Sequence, residues 1–177
     1  MTHGQLEKEL STLEKHRNDL FDKLAAYDTE LLNKKPNEKA WSVIQVIEHM
    51  LIIERSSIAY IQKKIQEKAA THQTGFKQRW RSILLNRYLR SSKKFPAPVQ
   101  VVPTIQYASL NEMRELWNAE RSDLKALLAS IPSDMLSHNW FKHPAVGKLN
   151  LMQMLTFVDA HHTHHQSQIE RTLKEVS

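Results

Sequence analysis

Glycine is nearly missing from this chain: Gly4, Gly75 and Gly147 are the three among 177 residues, where average usage of about 7% would place roughly twelve. Hairpins and tight strand-to-helix turns use glycine at positive φ, where a Cβ clashes. A sheet-rich fold is therefore disfavoured. Phosphate-cradling loops of the G-x-G-x-x-G or Walker type cannot be built from glycines this far apart. The expectation is an all-α chain, with residues 1–177 forming a single domain.

Cysteine is absent altogether. That removes disulfides, thiolate zinc clusters, cysteine-held iron–sulfur centres and cysteine nucleophiles. A metal would need His, Asp or Glu ligands. The start, Met1-Thr2-His3-Gly4-Gln5-Leu6-Glu7, carries no signal-peptide h-region. The apolar run Met50-Leu51-Ile52-Ile53 is far short of the roughly 20 residues of a membrane span. A cytoplasmic protein without membrane association is expected.

Apolar spacing reads as four long helices. The first runs from about Gln5 to Tyr27, with Leu6, Leu10, Leu13, Leu20, Phe21 and Leu24 on one side, and stops before the loop Asn33–Asn37, which contains Pro36. Ser42 and Gln45 form a capping box for a second helix reaching about Glu67. Ser109 with Glu112 opens a third, ending near Ile131-Pro132, and Asn150 caps a fourth that runs almost to the C-terminus. Between the second and third lie a shorter amphipathic stretch, Phe76–Ser91, and a connection containing Pro96, Pro98 and Pro103. The loop His143–Gly147 precedes the last helix. Four such helices make a bundle whose interior can hold inward-facing polar groups.

The net charge of +6 is local. Lys77, Arg79, Arg81, Arg87, Arg90, Lys93 and Lys94 fall in one segment without an acidic residue, which leaves 18 basic against 19 acidic residues elsewhere. The segment is expected to be a short extra helix, with Trp80 and Leu84 against protein and its cationic stems covering apolar surface, or a homodimer contact. The competing function is a non-enzymatic one, in which residues 77–94 bind nucleic acid or an anionic surface.

Four of the ten histidines crowd into Asp159-Ala160-His161-His162-Thr163-His164-His165. Residues four apart on a helix lie roughly 5–6 Å apart at Cβ, close enough for two imidazoles to share an ion. Leu151, Met154, Val158, His161, His165, Ile169 and Thr172 form one stripe, so His161 and His165 continue an apolar face. His162 and His164 fall towards its edges. His49 likewise interrupts the stripe Val46, His49, Met50, Ile53. Three imidazoles with an open fourth position is the pattern of a catalytic zinc-type site. His3, His16, His72 and His138 have no partner at useful spacing, and Glu48 and Asp159 read as solvated carboxylates. No general base is identified.

The segments Trp41-Ser42-Val43-Ile44-Gln45-Val46-Ile47-Glu48-His49, His143-Pro144-x-x-Gly147-x-Leu149 and His161-x-x-x-His165-Gln166-Ser167-Gln168-Ile169 together resemble the DinB/YfiT-like superfamily. The resemblance implies an up-down-down-up four-helix bundle with a long crossover between the second and third bundle helices. It also implies a divalent metal, nickel or zinc, held by His49, His161 and His165. Activities in that superfamily include thiol S-transferases using bacillithiol, a mycothiol-dependent isomerase and proteins described as metal-dependent hydrolases. The implied reaction acts on a small-molecule substrate through an activated water or low-molecular-weight thiol. Where many relatives carry His-Arg-Gly-Gln, this chain has His165-Gln166-Ser167-Gln168, so a role tied to the arginine does not carry over.

Overall fold

The computed structural model describes residues 1–67, 72, 75–90 and 102–177, with Lys77 and Gln78 by backbone alone. In chain order the elements are α1 (His3–Leu24), α2 (Thr29–Asn33), α3 (Val43–Gln66), α4 (Phe76–Leu89), α5 (Leu110–Ser130), a 3-10 turn (Ser133–Met135), β1 (Phe141–His143), β2 (Gly147–Leu149) and α6 (Leu151–Val176).

Each long helix starts where a side chain satisfies its orphan N–H groups. Ser42 with Gln45, Ser109 with Glu112 and Asn150 with Gln153 form reciprocal capping boxes at α3, α5 and α6. Thr2 and Gln5 do the same for α1, two residues earlier than the spacing predicts. The segment after α1 is not all loop: Asp28 caps the single turn α2, which buries Leu32. The segment before α6 is a hairpin in which Phe141 pairs with Leu149 and His143 with Gly147. Gly147 takes φ 83°, the left-handed conformation that a side chain resists, so the turn needs glycine there.

Two apolar clusters fix the direction of the helices. One joins the start of α1 (Leu6, Leu10, Leu13) to the end of α3 (Ile58, Ile61), the end of α5 (Leu124, Leu128) and the start of α6 (Leu151, Leu155). The other joins the end of α1 (Leu20, Phe21, Leu24) to the start of α3 (Val43–Ile47), the start of α5 (Met113, Trp117) and the end of α6 (Ile169, Leu173). Helices α1 and α6 therefore run opposite to α3 and α5, the up-down-down-up arrangement. Around the bundle the packing order is α1, α5, α3, α6. Between the two clusters lies a polar layer that includes Arg17, Glu54, Arg121 and the α6 histidines.

Helix α4 is the predicted extra helix, but its orientation differs from expectation. It packs on α6 and β2 through Ser82, Leu85 and Leu89, while Trp80 is 54% and Leu84 58% exposed. At about 100° per residue, Ser82, Leu85 and Leu89 share one face, and Trp80, Ile83 and Leu84 point the other way. Its C-terminus is fixed to α6 by the Arg90 to Asp159 ion pair at 2.8 Å and by His164 Nδ1 against the Leu89 carbonyl at 3.1 Å. Residues 91–101, which hold Lys93, Lys94 and most of the predicted proline connection, lie outside the described residues.

Candidate metal centre

His49 comes from the first half of α3, and His161 and His165 from consecutive turns of α6. All three are buried. Ring centroids are 5.2 Å apart for His49 and His161, 4.7 Å for His49 and His165, and 4.4 Å for His161 and His165. One nitrogen from each ring can be chosen so that all lie within 4.8 Å of one another. The Nε2 atoms of His161 and His165 are 3.1 Å apart. Two nitrogens at 2.0–2.1 Å from a tetrahedral ion would be separated by about 3.3 Å, so the pair already has the bite such an ion needs.

The rings are held in ligating form. His165 Nδ1 donates to Gln168 Oε1 at 2.8 Å, which leaves the Nε2 lone pair turned towards His161. Burial, and then the nearby His49, push the His165 pKa down to about 3. Burial and then His165 push His161 well below its ordinary value. Both imidazoles are neutral near pH 7, as metal ligation requires. His161 Nδ1 is buried without a partner among the described residues. Trp41 packs on His49 at 5.1 Å and Phe157 on His161 at 5.8 Å, giving the centre aromatic walls.

His143 lies behind Phe157, their centroids 4.6 Å apart. Burial lowers its pKa to about 4. Its Nδ1 accepts from the Ala145 N–H at 3.1 Å, which places the ring proton on Nε2. It is a neighbour of the centre's wall and not one of the converging rings.

Other residues depart from expectation. His162, expected at an edge of the apolar stripe, is buried there, 2.8 Å from Glu54 and edge-on to Trp117. Asp159 is buried as well, and accepts from Arg90 and from His16 Nδ1 at 2.7 Å, so His16 does have a partner. Glu48 accepts from Thr104 Oγ1 at 3.1 Å and Ile105 N–H at 2.8 Å, anchoring the connection ahead of α5 to α3. Glu48 lies about 100° around α3 from His49 and Asp159 about 160° around α6 from His161, and there they meet protein instead of water. Gln168 was equally legible as a partner, since it follows His165 by three residues on a helix.

A family profile described as the DinB superfamily matches residues 12–169. The uncharacterized protein YuaE of Bacillus subtilis (strain 168) is 20% identical over 167 residues, which is 94% of this chain and 98% of that protein. Among solved structures, the crystal structure of TT2238, a four-helix bundle protein, is similar with a TM-score of 0.55 and 21% identity, covering 94% of this chain and 98% of that one. At that identity the likeness speaks for the fold alone.

Proposed function

The chain belongs to the DinB superfamily, and from that premise we propose that it is a metal-dependent enzyme in which His49, His161 and His165 hold one divalent ion, nickel or zinc. The observation that carries the reading is the 3.1 Å approach of two neutral Nε2 atoms with the His49 ring against both. Three histidines leave a coordination position open. When bound, the ion would supply Lewis-acid chemistry, favouring the deprotonated form of a water or thiol placed at that position.

The chain's own residues set the conditions. Gln168 orients His165, and burial keeps the His161 and His165 imidazoles unprotonated. Trp41 and Phe157 limit water around the rings. Because the chain has no cysteine, a thiol nucleophile must come from a bound low-molecular-weight thiol. The activity proposed is thiol S-transfer to an electrophilic small molecule, or hydrolysis when water is the nucleophile. A cytoplasmic location, where such thiols stay reduced, and a homodimer belong to the same reading.

The test is elemental analysis of untagged protein, followed by turnover assays pairing thiol cofactors with electrophilic substrates. Activity that requires both the ion and a thiol supports S-transfer. Activity with the ion alone supports hydrolysis.

A second reading keeps one observation in its favour: Phe76, Trp80 and Tyr88 are exposed on α4 beside Arg79, Arg81 and Arg87. Nucleic-acid binding through this face would weaken steeply with salt and be lost on substitution of Arg79 and Arg81.

A further inference from the structure

Midway along the bundle, each of its four helices buries a polar side chain in one layer: Arg17 on α1, Glu54 on α3, Arg121 on α5 and His162 on α6. Arg17 is 7%, Arg121 2% and Glu54 1% exposed. Arg121 Nη2 donates to Glu54 Oε1 at 2.7 Å, and His162 Nε2 lies 2.8 Å from the same oxygen. Trp117, one turn before Arg121, meets Phe21, one turn after Arg17, with centroids 5.8 Å apart. With α1 and α5 antiparallel, this contact sets Arg17 beside Arg121. The two guanidinium charges act on each other: Arg17 is lowered from its ordinary pKa first by burial and then by Arg121.

The layer's charge does not close. Two guanidiniums face one carboxylate, a surplus of one positive charge even with His162 neutral. Arginine cannot relieve this by losing its proton. Glu14, half-buried on α1, and Arg114 on α5 act on Arg17 with opposite sign and less strongly than Arg121 and Glu54. The donors do not close either. Among the described residues, Nε and Nη1 of Arg17 and Nε and Nη1 of Arg121 are buried without an acceptor, and Glu54 Oε2, the one acceptor atom in the layer also left unpartnered, is too few for these four donors. Arg17 Nη2 reaches Asn18 Oδ1 at 3.2 Å. Buried charges and donors left in this condition are costly, and folded proteins supply them with partners.

We propose that this layer binds a small monovalent inorganic anion, chloride in the first instance, through the unspent N–H groups of Arg17 and Arg121. The surplus of one charge sets the ligand's charge. The apolar clusters above and below the layer set its size, because a bulky oxyanion or organic acid would have to displace close-packed side chains. The site is separate from the three-histidine centre. It draws on α1 and α5, which contribute no ligand there, and does not rest on the proposed function.

The experiment is thermal unfolding of the full chain, as isolated, in sodium chloride, sodium bromide or sodium gluconate at equal ionic strength. A ligand bound by the folded state alone raises Tm with concentration. Chloride and bromide should raise it by about 3–6 °C per tenfold above their Kd, and gluconate should not. Arg17→Met removes the surplus charge while keeping an apolar stem, and should abolish the halide dependence. Superimposed halide and gluconate curves would overturn the proposal. So would a halide dependence that persists in Arg17→Met, which would place the ion elsewhere, at the histidine centre included. Should Arg17→Met fail to fold, crystals of the unsubstituted chain grown in bromide decide: an anomalous peak between Arg17 and Arg121 supports the site, and water density alone overturns it.

Discussion

His165 donates from Nδ1 to Gln168 Oε1 at 2.8 Å, and that bond fixes which nitrogen faces His161. A ligand ring free to adopt its other tautomer would spend part of its time with a proton where the ion must sit. Gln168→Leu should therefore weaken divalent-metal affinity by about 10–100-fold, and Gln168→Glu, which keeps the acceptor, should restore most of it. Competition with a calibrated chelator measures both. Unchanged affinity in Gln168→Leu would show that the bond has no orienting role.

Glu54 and His162 make a contrasting prediction. Glu54→Leu removes the carboxylate facing Arg121 and leaves two buried guanidiniums, so it should cost about 3–5 kcal/mol. His162→Ala should cost about 1–3 kcal/mol, from a buried polar contact and lost packing on Trp117. Metal occupancy should change little where the variants fold, because neither residue faces the three rings. Denaturant unfolding with parallel metal analysis separates the two effects.

Acid should destabilise the metal-free protein in a defined window. His143 and His165 have folded pKa values of about 4 and about 3, against an ordinary value of 6.5. Between those limits the unfolded chain binds more protons, so stability rises with pH there. It is fully present above about pH 6.5 and declines as pH falls towards 4 and then 3. Glu54 adds to the loss only below 4.5: burial raises its pKa, but Arg121, His162 and Trp117 together more than offset that. His143→Asn should flatten the slope of Tm between pH 6.5 and 4 without touching a ligand, and an unchanged slope would show that His143 does not titrate as described.

The long helices were readable because their signals are redundant. Ser42, Ser109 and Asn150 each mark a start by capping chemistry, and the apolar steps of three and four run on from there. The short elements carry no such redundancy. A five-residue helix that buries Leu32, and strands of three residues, are too brief to show a period. Helix α4 misleads for another reason: it has apolar residues on opposite faces, and the aromatic one faces outward.

At the candidate centre, His49, His161 and His165 stood out because each interrupts an aliphatic stripe. The same logic would have found the polar layer. The α1 stripe jumps from Leu13 to Leu20, and the position it skips is Arg17. Glu54 sits between Met50 and Ile58, and Arg121 between Trp117 and Leu124, in the same way. Arginine and glutamate passed unnoticed because they are common on helix surfaces, where histidine clusters are rare. The partners of Asp159 and Glu48 come from α1, the end of α4 and the connection before α5, which helix periodicity does not place.

One ion held by three rings is tested most directly by metal content per chain in untagged protein and in His49→Ala, His161→Ala, His165→Ala and His164→Ala variants. About one equivalent of a single divalent metal is expected in the unsubstituted chain and in His164→Ala. Each of the other three should lose most of it, since two imidazoles hold such an ion far less well than three. Equal loss across all four variants, or full occupancy without His49, would contradict the account and leave the α6 histidines as a loose metal-binding tract.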